Sequence, residues 1–442
     1  VFPRFVPAHR FRPVALVRDQ RTTGFRAPFI AIEATPTPGA RAVHLDLLAS
    51  DGTLLTTAYD AEHREISIEV TPPGGRRASH RSRRFGRIPA PADQIAPQIA
   101  LTLTGPWLVA WSRSRSSNGD AEAWTARARV PLTPNIDPQR PEFLAGLVAR
   151  VRDESTVANW NAGTFGQLGL RDLHLVTHPD GSPYERDGRL FLTASHAGPG
   201  FGDVGQTGVW SWRPGTADLR HESMLWWERG GRIVGDHATH LVRDEDRWLV
   251  LTSTWGDFDR TRVAITLTES TEDLLQGEHV LTGRELPSPV APNGSREPRG
   301  PLGRTVGVWD PHLAMIDGHW HIAFVAARRF FNFRPALVRA LNPGRDGLRG
   351  PHELIGSRDE RVATEGSLLT RVEDRWVLLA SDGPDNRASL RRRYPVFDPV
   401  TPGMPEIGVI DAPYGSNIPW PMVVRHGPPK QPGGEPGGEP GS

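Results

Sequence analysis

The sequence predicts an all-β chain in two parts, an N-terminal β-sandwich-like domain followed by a five-bladed β-propeller. Three observations predict it. Short alternating or β-branched segments, separated by Gly, Pro, Asp or Asn, dominate the chain. One phrase then recurs as DLHLVTHPDG (172–181), DHATHLVRDEDRWLVLTS (236–253), DPHLAMIDGHWHIAFVAA (310–327) and EGSLLTRVEDRWVLLAS (365–381). Each copy opens on a carboxylate, enters an apolar strand, turns through acidic residues or Gly, and three of them return through a Trp-bearing strand. The opening carboxylates lie 64, 74 and 55 residues apart. A four-stranded blade of about 40–50 residues plus loops fits that spacing. YGSNIPWPMVV (414–424) supplies a fifth element.

The elements follow in order. Residues 1–140 hold the strand-like segments FIAIEAT, AVHLDLLAS, LLTTAYDA, EISIEVT, IALTLTG, WLVAWSR and AWTARARVPL, spaced as in a sandwich. GGRRASHRSRRFGR (74–87) reads as a basic loop between them. The Pro-rich stretch 131–142 marks a boundary, and 141–158 reads as a linker with a short helical piece at FLAGLVARV. The propeller is expected over 159–426. The Pro/Gly-rich tail 427–442 reads as disordered. Few segments carry the period of an amphipathic helix, which argues against a TIM barrel.

Composition removes several function classes. The 442 residues carry 37% apolar and 23% charged side chains with a net charge of +1, a globular balance that recruits neither nucleic acid nor a membrane surface. No cysteine is present, which excludes disulfides and thiol catalysis. No apolar run approaches the ~20 residues of a membrane span. The start VFPRFVPAHRFRP lacks the core of a signal peptide, which leans toward the cytoplasm, or toward export if the chain is a trimmed mature form. A G-x-S-x-G elbow, a P-loop and H-E-x-x-H are all absent. The histidines lack metal-ligand spacing, so neither a metal nor a cofactor is expected. The sequence does not specify an oligomeric state.

In a propeller the inner strand of every blade lines one channel, so residues at the start of successive inner strands converge. Asp172, Asp236, Asp310 and Glu365 are thereby expected at one mouth. Two residues further, His174, Ala238, His312 and Ser367 are expected one layer deeper. Asp244, Glu245, Asp246, Asp317, Glu373 and Asp374 fall in hairpin turns and read as solvated.

These phrases resemble glycoside hydrolase family 43 and its five-bladed relatives. WDPHLAMIDGHWHIAF (309–324) is similar to that family's third-blade phrase, TEGSLLTRVEDRWVLLAS (364–381) to its fourth and RDLHLV (171–176) to its first. GDHATHLVRDEDRWLVLTS (235–253) stands in the second place. The resemblance covers roughly 160–425. It implies Asp172 as general base, Glu365 as general acid and Asp310 as the group that orients the acid and raises its pKa. It also implies inversion, with base and acid about 6.5–9.5 Å apart. The substrates it implies are arabinofuranosides, xylosides or related sugars. Departures are Leu173, where Pro is common, and the absence of a histidine in the fifth element.

Further substrate-binding candidates are Asp236, His237, Trp255, Trp309, Arg328 and Asn417, with Trp420 and Arg329 nearby in kind. Trp offers a stacking face for a sugar and Arg a donor for hydroxyls. The function read from the sequence is an acid/base glycosidase acting on carbohydrate. The rival is a non-catalytic carbohydrate- or protein-binding propeller. A third reading, a lyase or phosphorylase, would need an anion pocket from Arg171, Arg328 and Arg329.

Overall fold

Alternation of apolar and polar residues builds the first third into two antiparallel sheets, as in Phe29–Pro36 and Ala42–Leu48. A computed structural model describes residues 13–89, 96–114, 123–132, 136–198, 204–258, 261–292, 300–391, 393–411 and 420–424. The first sheet has six strands in the order Ala15–Gln20, Val157–Gln167, Phe29–Pro36, Gln98–Thr104, Trp107–Arg113 and Thr125–Pro131. The second runs Val148–Val151, Ala42–Leu48, Leu54–Asp60, Glu65–Thr71 and Ala78–His80. Ile30, Ile32 and Leu101 of one sheet meet Leu45, Leu55 and Ile68 of the other in a single core. That core continues into Met224, Trp226 and Ile233 of the next sheet, so the two parts share one apolar interior.

The expected boundary is corrected here. Residues 141–158 are no linker: Pro141–Ala145 is helical and Val148–Val151 is an edge strand of the second sheet. Residue 159 lies inside Val157–Gln167, which is hydrogen-bonded between two strands of the first sheet. Local Pro content signalled a break, but strand pairing from both sides overrides it.

Four antiparallel meanders follow. The first is built on Leu170–Leu175, Arg189–Ala197, Gly205–Trp212 and Leu219–Arg229, and is extended by Arg232–Val234. The second contains His237–Asp244, Arg247–Ser253, Ile265–Ser270 and Arg284–Glu285. The third contains Gly307–Ile316, His319–Arg329, Asn332–Ala340 and His352–Ser357. The fourth contains Thr364–Val372, Arg375–Asp382, Arg393–Phe397 and Glu406–Asp411. Each meander packs its apolar face on the next. Trp227, Leu241 and Trp248 fill the first junction, Leu251, Trp320 and Phe324 the second, and Ile316, Leu378 and Phe397 the third. The first strands of the meanders lie beside one another in order. Gly277–Leu281, from between the third and fourth strands of the second meander, adds in parallel to Leu219–Arg229 and ties those two meanders together. Of the expected fifth element, 414–424, residues 414–419 lie outside the described residues, as does the tail 427–442.

Candidate active site

Every inner strand carries a bulge near its start. Pairing with the return strand slips between Arg171 and His174, His237 and His240, Trp309 and His312, and Glu365 and Leu368. One residue in each slip has positive φ: Asp172 at 53°, Ala238 at 57°, Asp310 at 56° and Gly366 at 65°. A bulge of this kind re-aims side chains and often borders an active site. Asp and Gly enter the left-handed region at little cost, whereas Ala238 does so at about 1–2 kcal/mol. Its N–H is held by the Ser195 hydroxyl at 3.1 Å. Asp310 N–H donates in the same way to Ser253 Oγ at 2.9 Å. Ser195 pairs with Arg171 and Ser253 with His237, but Val325 stands opposite Trp309 and offers no hydroxyl. There the carboxyl of Asp310 itself faces the Gly366 N–H, at 3.4 Å.

The bulges set the true register. Asp172 aligns with Ala238, Asp310 and Gly366. Glu365 stands one place earlier, level with Arg171, His237 and Trp309. Asp236 stands two places before its bulge residue, so it is not the second strand's counterpart of Asp172. It is fully buried, accepts the Gly256 N–H at 2.9 Å and is clasped by two nitrogens of Arg229. Burial pushes its carboxyl up, and Arg229 opposes that. The three groups that hydrogen-bond to it are all donors, which favours its charged form. Asp236 is thus an internal anchor and is not presented to the mouth.

Asp172, Asp310 and Glu365 are brought together electrostatically. Asp310 is buried, and burial, then the Glu365 and Asp172 charges, push its carboxyl well above the usual range. Glu365 is raised to about 7 by crowding of protein around it and by the Asp172 charge, with Arg171 opposing. Its side chain is nonetheless open to solvent on one side, as on the wall of a cleft. Asp172 is half-buried, with the Arg171 guanidinium 3.6 Å away. The mouth therefore offers a buried carboxyl that favours its proton, a second carboxyl balanced near neutrality, and an acid beside a cation.

His237 faces this group. Burial and then the Arg171 charge lower its imidazole to about 4 while Asp172 opposes, and its Nδ1 lies 3.0 Å from the Gly235 carbonyl. One layer deeper stand His174, His240 and His312, where the sequence expected His174, Ala238, His312 and Ser367. His240 and His312 stack with ring centres 3.7 Å apart. His240 Nδ1 accepts the Leu313 N–H at 3.0 Å, which leaves its proton on Nε2, 3.2 Å from Thr177 Oγ1. His312 Nδ1 accepts the Leu369 N–H at 3.3 Å. His174 faces the Thr239 carbonyl with Nδ1 at 3.1 Å, and burial lowers its pKa to about 4. These neutral rings tie each inner strand to the next. The Trp420 indole closes on this layer, 5.1 Å from the His174 ring and against Gly366, where a Cβ would come within 2.5 Å of it.

The remaining candidates divide. Trp309 is buried among Val263, Val325 and Phe330 and serves the core. Trp255 is half-buried, stacked at 6.3 Å on His237 and 5.2 Å from Trp309, and so belongs to the mouth. Arg328 is exposed and engaged by Asp359 at 2.7 Å. Asn417 lies outside the described residues. Among the described residues no group of three or more His, Cys, Asp or Glu is arranged to hold a metal ion. A cavity of about 280 Å³ lies at the other end of the inner strands, lined by His174, His312, Thr177, Ser182, Arg371 and Met422, with none of the three carboxyls in its wall.

No family model matches the chain, and no curated protein does. Solved structures similar to it include a levansucrase from Bacillus subtilis, at 9% identity over 52% of this chain and 67% of that one, TM-score 0.36. They also include RS223 beta-xylosidase, at 13% identity over 55% and 78%, TM-score 0.35. A third is the alpha-L-arabinanase of Cellvibrio cellulosa, at 13% identity over 68% and 88%, TM-score 0.33. Superpositions this loose carry no functional weight, and the functional reading rests on the geometry of the site itself.

Proposed function

We propose that the chain is a glycoside hydrolase acting on furanosidic or xylosidic linkages, with Asp172, Asp310 and Glu365 as its acidic groups. In this reading the four meanders are blades of a five-bladed propeller, the segment after Asp411 contributes the fifth, and the two N-terminal sheets form a sandwich packed on the first blade. One observation carries the proposal: carboxyls from three different strands act on one another, and burial together with the Asp172 charge leaves Glu365 balanced at about 7. Glycoside cleavage needs such a split, one carboxyl able to give a proton while another takes one.

The steps follow from that split. Glu365 passes its proton to the glycosidic oxygen as the bond from that oxygen to the anomeric carbon breaks. A water attacks the anomeric carbon from the opposite face and gives its proton to Asp172, and the configuration inverts. Asp310, which keeps its proton beside Glu365, holds the bulge beneath it through Gly366 N–H and so positions the acid. Carbohydrate is the only partner this chemistry calls for.

The test is hydrolysis of aryl arabinofuranosides and xylopyranosides by the native protein and by Glu365→Gln. The variant is expected to lose roughly 10²–10⁴-fold in kcat/KM on poor leaving groups and far less on good ones, which need no protonation. No turnover by the native protein on any substrate, with sugar binding intact in both proteins, would leave a binding propeller in its place.

A further inference from the structure

The mouth opens onto an aromatic wall that the acid chemistry does not use. Trp255 stacks on His237, Phe258 meets Trp255 edge to face at 5.0 Å, and Phe330 meets Phe258 in the same way at 4.9 Å. Phe331, next in the chain, is 85% exposed. Register places all four at the mouth end. Trp255 and Phe258 directly follow the strand whose Ser253 pairs with His237. Phe330 and Phe331 form the tip of the hairpin between His319–Arg329 and Asn332–Ala340, and Ala327 near that tip pairs with Gly307, three residues before Asp310. Trp255, Phe258 and Phe330 are half-buried against the Trp309 cluster, so each shows part of its surface beside the fully presented Phe331, and an apolar patch of this kind rimmed by a polar site marks a binding surface.

We propose that this wall seats the part of a glycan chain that extends away from the cleaved residue, which makes the natural substrate an oligosaccharide or polysaccharide. This rests on the glycosidase reading. Sugar rings present C–H faces that pack on aromatic faces, and their hydroxyls stay directed at the polar rim. Each ring-to-ring step is close to the length of one sugar residue, so the row matches a chain better than a single ring. Asp257, exposed next to Phe258 and paired with Arg229, supplies a polar edge.

The experiment is equilibrium binding, which needs no turnover. Xylo- and arabino-oligosaccharides of one to four residues are titrated against Glu365→Gln, and against the same protein with Phe331→Ala, Phe258→Ala or Phe331→Trp added. Affinity is expected to rise with chain length. Phe331→Ala and Phe258→Ala should each weaken the longer sugars roughly three- to tenfold and leave the monosaccharide unchanged, and Phe331→Trp should restore binding. Chain-length dependence that is the same in all four proteins, or no oligosaccharide binding at all, overturns the wall. So does an effect confined to aryl monosides, which would assign the wall to an apolar leaving group. Failure of the glycosidase reading alone would show as chain-length-dependent binding with no cleavage by the native protein.

Discussion

Asp236 and Asp310 occupy similar ground, each a buried aspartate near the mouth end of an inner strand, and they are treated in opposite ways. Asp236 has two guanidinium nitrogens and a backbone N–H around it. Asp310 has one long bond to Gly366 N–H and two other carboxyls for neighbours. A buried charge that is matched serves the fold, because removing its partner leaves it uncompensated. A buried carboxyl surrounded by its own kind opposes the fold, which makes it a candidate for chemistry. The same residue type at nearly the same depth therefore separates anchor from site by its partners.

Breaking the anchor should have the largest effect on stability. Arg229→Ala leaves Asp236 buried without its cation and is expected to cost about 3–5 kcal/mol in chemical denaturation. An Arg229→Ala protein as stable as the native one would mean that Asp236 sits neutral and that the contrast with Asp310 is false. Gly366→Ala comes next. It forces a Cβ into the left-handed region at about 1–2 kcal/mol and against the Trp420 indole. Both stability and the position of Glu365 should suffer, read as a lower Tm together with a lower kcat.

The smallest expected change is in Asp310→Asn, and it has the opposite sign. The folded protein holds the Asp310 proton above the pH at which the unfolded chain, with a pKa of about 3.9, releases it. The native protein therefore binds more protons than the unfolded one in that window, and Asp310 subtracts stability as pH rises from about 4 toward its raised value. Asp310→Asn removes the penalty and keeps an acceptor for Gly366 N–H. Its stability relative to the native protein should grow from acid to neutral pH while activity falls. A difference that does not change with pH would contradict the raised carboxyl.

Much of this was legible in sequence. The strand segments of the first third and the four recurring phrases correspond to strands, because period-2 alternation and turn residues are local signals. Acidic turn residues such as Glu245 and Glu373 do lie in hairpin turns at positive φ. The register was misread. Aligning the phrases on their first carboxylate matched Asp236 with Asp172, whereas the bulges align Ala238 with it. The mark that would have found this is the His-Leu pair: His174-Leu175, His240-Leu241 and His312-Leu313, with Leu368-Leu369 in the fourth copy. The aromatic wall was missed because Phe258 and Phe330 come from different meanders and meet only when those pack. Trp309 and Arg328 were over-read for the converse reason: what each side chain contacts is set by neighbours distant in sequence.

The central claim is that burial and the Asp172 charge hold Glu365 near neutrality. Its direct test is a carbon-13 NMR titration of the Glu365 carboxyl in the native protein and in Asp172→Asn. The account predicts a midpoint of about 7 in the native protein that moves to lower pH once the Asp172 charge is removed. A midpoint near the ordinary glutamate value of about 4.3 in both proteins would contradict it.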